Sequence, residues 1–513
     1  MVKGVSMSGE AALTRRGFLA ATALGGLALA GCGRRVDTGR AAASAPADAI
    51  AAAEAARPHT GRTVAMRLTA GSAALDLGGT RAQAYAYNQM LPGPLIRADV
   101  GDELAVTLVN GLPQASSVHW HGLALRNDMD GAAPATPDVA PGAEFTYRFT
   151  APHPGTYWAH PHTDLDADQG LYLPVIIDDP REPGAYDAEW IVILDDWTAG
   201  IGSSPRQLFD GLQAMGMGGH AMGGMPGMGS GPAVPGVGGV DTSDLLGGDA
   251  GDISYPTYVI NGRVPAAPAT FAAKPGQRLR IRFINAGSDT AFRVALAEHT
   301  MTVTHTDGFP VVPTDVDALL LGMGERYDVV VTAGDGVFPL VASAEGKNAY
   351  ARAVLSTAAG TAPAADYVPA ELRGRVGTVA TFAAAPEAVL SAGRADATLT
   401  ARLAGDMMSY DWTINGRPYG QAEPLRVQQG RTVDLVFVND TTMWHPMHLH
   451  GHTFEVLTAD GRPGPRKDTL IVLPRQRIGV RLVTDNPGTW MLHCHNTYHQ
   501  AAGMMTTLDY VAG

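Results

Sequence analysis

The sequence predicts an all-β protein made of three β-sandwich domains of similar plan. The same unit occurs three times: a turn, then a glycine, then a strand in which apolar and polar residues alternate. The three strands end at Asn110, Asn285 and Asn439. Apolar and polar residues alternate along these strands, as expected where one face packs on a core. The chain also contains 62 Gly and 35 Pro, which suits many turns, and long amphipathic helices are scarce.

The first 60 residues are predicted to lie outside these domains. Arg15 and Arg16 precede an apolar stretch, Leu19–Ala30, and this pattern is typical of a twin-arginine export signal. The stretch is too short to span a bilayer comfortably. It leads into a Leu-Ala-Gly-Cys sequence, which predicts a signal peptide over 1–32 and lipidation of Cys32. The alternative is an ordinary signal peptide with an incidental cysteine. Residues 33–60, rich in alanine, are predicted to form a tether.

The 482 residues from 32 to 513 are too many for one hydrophobic core and enough for about three domains. The repeat places these domains at 61–182, 188–360 and 370–513. The formal net charge of −13 argues against binding to nucleic acid, whose phosphates need basic patches. Cys32 and Cys494 are the two cysteines of the chain, so no disulfide is expected if Cys494 binds a metal.

Residues 490–505 carry the strongest functional signal in the chain. Cys494 lies between His493 and His495, and His499 and Met504 follow. Successive side chains of an extended strand point to opposite faces, so Cys494 is expected to face away from the two neighbouring histidines. A thiolate with two imidazoles and a weak axial thioether is the ligand set of a blue-copper site, and a pair of imidazoles suits coppers that bind oxygen. One strand could therefore hold two copper sites back to back.

Three further motifs supply more histidines. They are His119 with His121, His160 with His162, and the group His445, His448 and His450. A chain with 16 His in 513 residues would contain about 0.5 His-x-His pairs by chance, whereas this chain contains five. A single pair could be two polar positions on one face of a strand, but the four motifs together indicate metal binding.

These four motifs resemble, in order and position, the copper-binding motifs of the multicopper oxidases, and the resemblance covers the chain after residue 60. It implies three cupredoxin-like Greek-key sandwiches and four copper ions. The type 1 copper would be held by His445, Cys494, His499 and Met504. The type 2 copper would be held by His119 and His448. The type 3 pair would be held by His121, His160, His162, His450, His493 and His495. The type 2 and type 3 ions form a trinuclear cluster, expected between the first and third domains.

The resemblance also implies a reaction, in which one-electron oxidation of a donor at the type 1 copper is coupled to four-electron reduction of O2 to water. Asp130 matches the family's acid beside the cluster and is the expected catalytic proton relay. The alternative is a turn residue before Gly131. Gln500 and Thr441 stand where copper-efflux oxidases have acidic residues. The middle domain is expected to be mainly a spacer, although Glu325–Asp328 matches the family pattern.

An insertion at 214–229 suggests a substrate. It contains five methionines and one histidine in a glycine-rich stretch: Met215, Met217, His220, Met222, Met225 and Met228. Thioethers are soft ligands that favour Cu(I), and an exposed loop offers methionine no core in which to pack. We expect the segment to capture cuprous ions for the type 1 site; the alternative is a disordered spacer. Together with the lipidation motif, it resembles the mycobacterial-type exported copper-resistance oxidases.

The sequence therefore predicts an exported, monomeric multicopper oxidase, lipid-anchored to the outer side of the cytoplasmic membrane. It is expected to oxidise Cu(I), and also phenols or Fe(II), with O2 as acceptor. A general laccase acting on phenols or aromatic amines would use the same ligands and stays an alternative. A copper nitrite reductase lacks the type 3 pair, so the four histidine motifs argue against it. A non-enzymatic relative would have lost ligands, and none is missing here.

Overall fold

We describe the protein from a computed structural model, and β-strands account for most of its regular structure. The structure describes residues 47–182, 185–218, 234–238, 240–390, 393–406 and 409–511. Within these ranges lie three α-helices, α1 (Ala47–Ala55), α2 (Pro205–Gly218) and α3 (Thr497–Ala501). The all-β fold predicted from the sequence is confirmed.

Two four-stranded sheets form the first sandwich. In hydrogen-bonded order, one contains Arg81–Tyr87, Thr63–Asp76, Glu103–Asn110 and Glu144–Thr150. The other contains Ile96–Asp99, Leu173–Asp178, Gly155–His160 and His119–His121. The last two strands run antiparallel with His119 opposite His160, so the first two histidine motifs lie side by side at one edge.

Two six-stranded sheets form the middle sandwich. One contains Thr257–Ile260, Ala188–Trp197, Arg278–Asn285, Arg326–Thr332, Met301–Thr306 and Phe309–Val316. The other contains Ala269–Ala272, Ala349–Ser356, Val337–Ala344, Phe292–Leu296, Ala318–Leu321 and Val376–Gly377. A short ribbon, Thr242–Ser243 with Gly248–Asp249, follows the Met-rich insertion in the chain.

The third sandwich has a six-stranded and a five-stranded sheet. The larger contains Asp411–Ile414, Ala397–Asp406, Thr432–Asn439, Arg477–Val483, Phe454–Leu457 and Pro463–Lys467. The smaller contains Leu425–Val427, Met505–Tyr510, Thr489–Cys494, His445–Leu449 and Thr469–Val472. Thr489–Cys494 is central and antiparallel to both neighbours, so the last two metal motifs are adjacent.

The asparagine that ends each repeated strand makes the same contacts in all three sandwiches. Asn110, Asn285 and Asn439 are buried, and each side-chain amide donates to backbone carbonyls of a neighbouring segment at 2.7–3.2 Å. Each side-chain oxygen accepts the N–H two residues later, at 2.9 Å. Such Asx turns satisfy backbone groups where a strand stops pairing. The repeated asparagine is therefore required by the fold.

A second asparagine recurs in the turn that precedes each repeated strand. Asn88, Asn261 and Asn415 have φ of 53°, 50° and 54°, a left-handed conformation that asparagine tolerates better than most residues. Each side chain accepts an N–H from the first strand of its own sandwich and donates to a carbonyl of that strand. The sequence repeat thus corresponds to a repeated set of contacts.

Apolar side chains of facing sheets form the cores. The largest cluster extends through the middle and third sandwiches and includes the fully buried Phe283, Leu435 and Trp490. A separate cluster around Leu104 and Trp120 lies in the first sandwich. None of the helices in the described ranges is long and apolar enough to cross a membrane.

Helix α1 differs from the tether that was predicted over residues 33–60. Ile50 and Glu54 of this helix are buried. Glu54 Oε1 accepts the backbone N–H of Thr150 at 2.7 Å, and its Oε2 lies 2.9 Å from Arg57 Nε. Alanine is the best helix former, so an Ala-rich segment becomes helical once these contacts fix it to the first sandwich.

Glu54→Ala is expected to release α1 while the sandwiches stay folded. The substitution removes the acceptor of a buried N–H and the partner of Arg57, a loss of about 1–3 kcal/mol. Amide hydrogen exchange at residues 47–57 is expected to rise, with little change elsewhere. The exposed Asp48→Ala is the control. Unchanged exchange in Glu54→Ala would mean that this carboxylate does not hold the helix.

Candidate metal centres

The strand Thr489–Cys494 contributes side chains to two separate clusters. Cys494 belongs to one cluster, and His493 belongs to the other. His495, one residue past the strand, lies in the second cluster with its Nε2 3.2 Å from His121 Nδ1. The two clusters are therefore back to back, as the alternation of side chains along the strand predicts.

The cysteine cluster contains Cys494, His445 and His499, and none of these residues is exposed. Cys494 Sγ lies 3.7 Å from His445 Nδ1 and 3.6 Å from His499 Nδ1. The two nitrogen atoms are 3.2 Å apart. Three donor atoms thus surround one small space. A thiolate with two imidazoles is the trigonal donor set of blue-copper sites.

The residues that follow Cys494 in the chain, α3 and Met504, also surround the cysteine cluster. Met504 is buried; its N–H donates to the carbonyl of His499, and its own carbonyl accepts the N–H of Cys494, both at 3.0 Å. Asn496 caps α3, because its side-chain oxygen accepts the N–H groups of Tyr498 and His499. These backbone contacts place Met504, the predicted thioether ligand, next to Cys494 and His499 along the backbone.

The outer nitrogens of both histidines in the cysteine cluster have partners. His445 Nε2 lies 3.0 Å from Thr441 Oγ1, and His499 Nε2 lies 3.1 Å from Asp252 Oδ2. The ring of Trp412 packs on His499 with 4.3 Å between ring centroids. With each Nε2 engaged, Nδ1 of each ring is left facing the cysteine. Partners of this kind fix the orientation of metal-binding imidazoles.

The second cluster brings together eight histidines between the first and third sandwiches. The first sandwich contributes His119, His121, His160 and His162. The third contributes His448, His450, His493 and His495. All eight positions predicted from the sequence for the trinuclear cluster therefore meet at one place.

Short nitrogen-to-nitrogen distances mark two centres within the histidine cluster. His493 Nε2 lies 3.0 Å from His450 Nε2 and 3.4 Å from His162 Nε2. At the other centre, His495 Nε2 lies 3.2 Å from His121 Nδ1. These nitrogens can share a proton, or each can turn its lone pair to a metal ion between the rings.

Other histidines of the cluster present unpaired nitrogens. Nε2 of His119, His160 and His448 is buried and has no hydrogen-bond partner among the described residues. Burial, reinforced by the neighbouring imidazoles, lowers the pKa of His160 and His450 well below the usual value. These rings are then neutral at neutral pH, which is the form that binds metals. Because unpaired buried nitrogens are costly, the donor set fits bound metal ions such as copper.

Asp130 orients two of the rings. Its Oδ2 lies 2.8 Å from His450 Nδ1, and its backbone carbonyl oxygen lies 2.9 Å from His119 Nδ1. The next residue, Gly131, has φ of +79°, and a Cβ at this position would lie 1.7 Å from the carbonyl oxygen of Val118. Asp130 therefore stands in a tight turn, and the turn brings it to the histidine cluster; its role as a proton relay stays a prediction.

The middle sandwich also reaches the histidine cluster, although the sequence suggested mainly a spacer. Arg326 is fully buried and donates through both Nη atoms to Asp468 at 2.7 and 2.6 Å. Asp468 Oδ1 lies 3.2 Å from His121 Nε2 and 3.4 Å from His448 Nδ1. Burial would raise the pKa of the Asp468 carboxyl, but Arg326 outweighs burial and lowers that pKa below its usual value. A carboxylate held by the middle sandwich thus supports two cluster histidines.

Sequence reasoning missed Asp252, Asp468 and Arg326 as residues of the two clusters. The acidic residue expected near His445 is replaced by Thr441, and the neighbouring Asp440 is half-exposed and paired with Arg402. The carboxylate on the cysteine cluster comes instead from Asp252, to which no motif in the sequence points. Arg326 lies in the segment that matched the family pattern, so a signal for it existed.

Two further predictions fall mainly outside the described residues. Met215 is on α2 and is 47% exposed, and Met217 is on the same helix. The insertion therefore begins on a helix and not in the loop that was predicted for 214–229. Outside the described residues lie His220, Met222, Met225, Met228 and Cys32.

Comparison with known families and proteins gives matches along the chain. Three family profiles described as multicopper oxidase match residues 69–182, 189–360 and 394–512. The chain is 59% identical to the multicopper oxidase MmcO of Mycobacterium tuberculosis, over 97% of each protein. It is 28% identical to a copper resistance protein A homolog of Pseudomonas syringae pv. tomato, over 85% of this chain and 90% of that protein.

Solved structures of similar fold include Fet3p, a multicopper oxidase that functions in iron import. It has a TM-score of 0.72 at 21% identity, over 88% of this chain and 90% of Fet3p. A single-residue mutant of the laccase from B. aclada has a TM-score of 0.71 at 25% identity, over 89% of each chain. The similarity extends through all three sandwiches.

Gly131→Ala is expected to lower both the stability and the metal content of the protein. The added Cβ collides with backbone and displaces Asp130, which orients His119 and His450. The free energy of unfolding is expected to fall by about 1–3 kcal/mol more than in a control without the collision. The melting temperature and the number of bound copper ions are the measurements.

Gly142→Ala is the matched control for this substitution. Gly142 has a similar φ of +73°, but a Cβ there has nothing within 4 Å. The left-handed conformation costs about 1–2 kcal/mol at either position. Equal effects of the two substitutions would contradict the role assigned to the turn at Asp130.

Proposed function

Because the chain belongs to the multicopper oxidase family, with copper as its cofactor, we propose that it oxidises Cu(I) with O2 as acceptor and serves copper tolerance. The predicted family membership is confirmed. Copper bound in such an enzyme takes single electrons from a donor and passes four of them to O2, which leaves as water. Beyond family membership and the copper cofactor, we propose the electron donor, the number of copper ions and the ligands of each ion.

The type 1 copper is assigned to the cysteine cluster with the ligands His445, Cys494, His499 and Met504. The supporting observation is the meeting of one thiol and two imidazole nitrogens within 3.7 Å of one another in a fully buried space. Soft sulfur ligands favour Cu(I), and burial excludes water from the site. The site is thus suited to exchange single electrons.

The trinuclear cluster is assigned to the eight histidines. His119 and His448 are the proposed type 2 ligands, and their unpaired Nε2 atoms support this assignment. The proposed type 3 ligands form two groups of three: His162, His450 and His493, and His121, His160 and His495. The short nitrogen-to-nitrogen distances within both groups support a second and a third ion. Together with type 1, four copper ions are proposed.

Cys494 connects the two centres. Its neighbours in the chain, His493 and His495, are proposed type 3 ligands, so electrons can cross from the thiolate to either through a few covalent bonds. The carbonyl of Cys494 also lies 2.9 Å from His493 Nδ1. This hydrogen bond fixes the His493 ring and leaves its Nε2 towards the cluster.

Asp130 is proposed to hold a proton for oxygen reduction, which consumes four. Its Oδ2 contacts His450 Nδ1, and its Oδ1 has no hydrogen-bond partner among the described residues. This oxygen lies 3.4 Å from His119 Nδ1, and a carboxylate so placed beside the cluster can accept a proton and release it. General acid–base groups of this kind contribute about 10²–10⁴-fold to rates.

The observation that carries the choice of Cu(I) is that α2, on which the Met-rich insertion begins, packs on a residue that contacts Asp252 beside the cysteine cluster. His499 is fully buried, and Phe209 of α2 packs on Tyr410, which donates to the Asp252 carboxylate at 2.7 Å. Asp252 in turn contacts His499 Nε2. A covered histidine favours donation by a small ion over donation by a bulky phenol.

Met215 lies near the segment that precedes Asp252. A Cβ added to Gly238 would stand 4.0 Å from Met215 Cε, and the N–H of Gly238 donates to the carbonyl of Asp252 at 2.7 Å. The first methionine of the insertion is thus near the backbone of the residue beside His499. The name of the copper resistance protein A homolog also supports a role in copper tolerance.

Four properties stay predictions from the sequence: export by the twin-arginine route, lipidation of Cys32, anchoring outside the cytoplasmic membrane, and a monomeric state. They support the proposed function, because Cu(I) that arrives from outside would meet the enzyme at the cell surface. Labelling with a radioactive fatty acid tests the anchor, and Cys32→Ala is expected to abolish the label.

Oxygen uptake by the purified, copper-loaded mature protein tests the proposed function. We expect rapid uptake with Cu(I) and slow uptake with a simple phenol until Cu(II) is added. Strong uptake with the phenol and little with Cu(I) would make the protein a laccase. No uptake with either donor would contradict an oxidase function.

Cu(I) turnover is expected to fall about tenfold when the five methionines of the insertion are replaced together by leucine. These residues are Met215, Met217, Met222, Met225 and Met228. Leucine keeps the size and apolar character of the side chain and removes the thioether. Turnover of phenols and the melting temperature are expected to stay at wild-type values. Equal losses with both donors would contradict capture of Cu(I) by this segment.

Cys494→Ser is expected to abolish the blue absorption, which arises from charge transfer between thiolate and copper. Turnover with every donor is expected to stop, because electrons no longer reach the trinuclear cluster. Copper content is expected to fall by one ion of four. A variant that stays blue would contradict the type 1 assignment.

A further inference from the structure

A buried ion pair lies in the middle sandwich near the cysteine cluster. Lys347 Nζ is 2.7 Å from Asp289 Oδ2, and both side chains are 0% exposed. The ammonium group also donates to the carbonyl of Asp289 at 2.9 Å and to Thr290 Oγ1 at 3.0 Å. Burial of two charges is costly, so a pair of this kind calls for a role beyond stability.

Asp289 holds the backbone of the residue that contacts His499. Its carboxylate accepts the N–H of Asp252 at 3.1 Å and the N–H of Ile253 at 2.9 Å. The side chain of Asp252 then reaches His499 Nε2 at 3.1 Å. Asp289 therefore fixes the outer partner of the type 1 histidine.

Asp289 also holds the cap of the helix that carries His499. Asn496 Nδ2 donates to Asp289 Oδ1 at 2.7 Å, while Asn496 Oδ1 accepts the N–H of His499 at 3.1 Å. The neighbouring Ser288 accepts the N–H of Thr497 at 3.0 Å. The Asp289 carboxylate is thus connected to His499 in two ways. One connection runs through Asp252 to the His499 ring, and the other runs through the Asn496 side chain to the His499 backbone.

The donors around Asp289 favour its ionised form. Its two oxygens accept from Lys347, Asn496, Asp252 and Ile253. Hydrogen bonds to a carboxylate stabilise the charged form. Burial raises the pKa of the Asp289 carboxyl overall, and the ammonium group of Lys347 is the main opposing cause. The acidic member of the pair is the one nearer to the helix that carries His499.

We propose that the Asp289–Lys347 pair is a positioning device for His499 and sets the reduction potential of the type 1 copper. The proposal rests on the assignment of type 1 copper to the cysteine cluster. The pair keeps His499 in place through Asp252 and Asn496, so its ring changes little when the copper gains or loses an electron. Each charge of the pair partly offsets the field of the other at the cysteine cluster. The middle sandwich thereby takes part in electron uptake.

Two substitutions that each leave one charge unpaired test the proposal. Lys347→Gln leaves a negative charge, which stabilises oxidised copper and lowers the potential. Asp289→Asn leaves a positive charge, which raises it. We expect about a tenfold change in the reduction equilibrium in each case, or about 59 mV for one electron, with opposite signs. The measurement is a redox titration of the blue absorption in the copper-loaded full chain.

A third variant tests the positioning itself. Asn496→Ser removes the amide that donates to Asp289 and keeps an oxygen that can cap α3. We expect a changed type 1 electron paramagnetic resonance spectrum and an unchanged type 2 spectrum. This variant leaves both buried charges in place, so it also serves if the charge variants fail to fold.

Glu345→Gln is the matched control. Glu345 is buried in the same sandwich and pairs with Arg293 at 2.7 Å, and its side chain has no bond to Asp252 or Asn496 among the described residues. It is expected to lower the melting temperature without moving the potential. Charge variants that keep the wild-type potential, or that shift it with the same sign, would overturn the proposal. A wild-type protein without blue copper would instead overturn the type 1 assignment, and the proposal with it.

Discussion

The structure depends on one strand that two clusters of metal donors share. Thr489–Cys494 is central in its sheet, so its position is fixed by antiparallel neighbours on both sides. Alternation of side chains then sends Cys494 to one side and His493 to the other. A shift of the strand by one residue would exchange the two sides and destroy both clusters. Pairing with His445–Leu449 on one side and Met505–Tyr510 on the other keeps that register.

Around this strand, hydrogen bonds from every sandwich orient the imidazoles. Asp130 comes from the first sandwich, Arg326 and Asp252 from the middle one, and Asp468 from the third. Each holds or supports an imidazole through one nitrogen, and the opposite nitrogen is turned towards a proposed metal position. Unpaired buried atoms such as His448 Nε2 cost free energy in the metal-free protein. That cost favours binding of metal ions.

The fold and the ligand residues could be predicted because both follow from short patterns in the chain. Periodicity predicted the strands, the repeated unit predicted the sandwiches, and the resemblance of four motifs to those of the multicopper oxidases predicted the ligands. Asp252 and Asp289 could not be predicted, because their function depends on contacts with α3 that are more than 200 residues away. Helix α1 was missed for a different reason, since a buried contact of Glu54 decides between helix and tether.

The eight-histidine cluster has a consequence for the order in which the molecule is assembled. Its halves are far apart in the chain: His121 and His495, which nearly touch, are separated by 374 residues. Contacts at such separation form late in folding, after each sandwich has built its own core. Copper at the proposed trinuclear cluster therefore could not nucleate folding and would bind there only when the first and third sandwiches have docked. The type 1 ligands all lie in the third sandwich, so a misdocked chain could still turn blue while lacking the copper of the eight histidines.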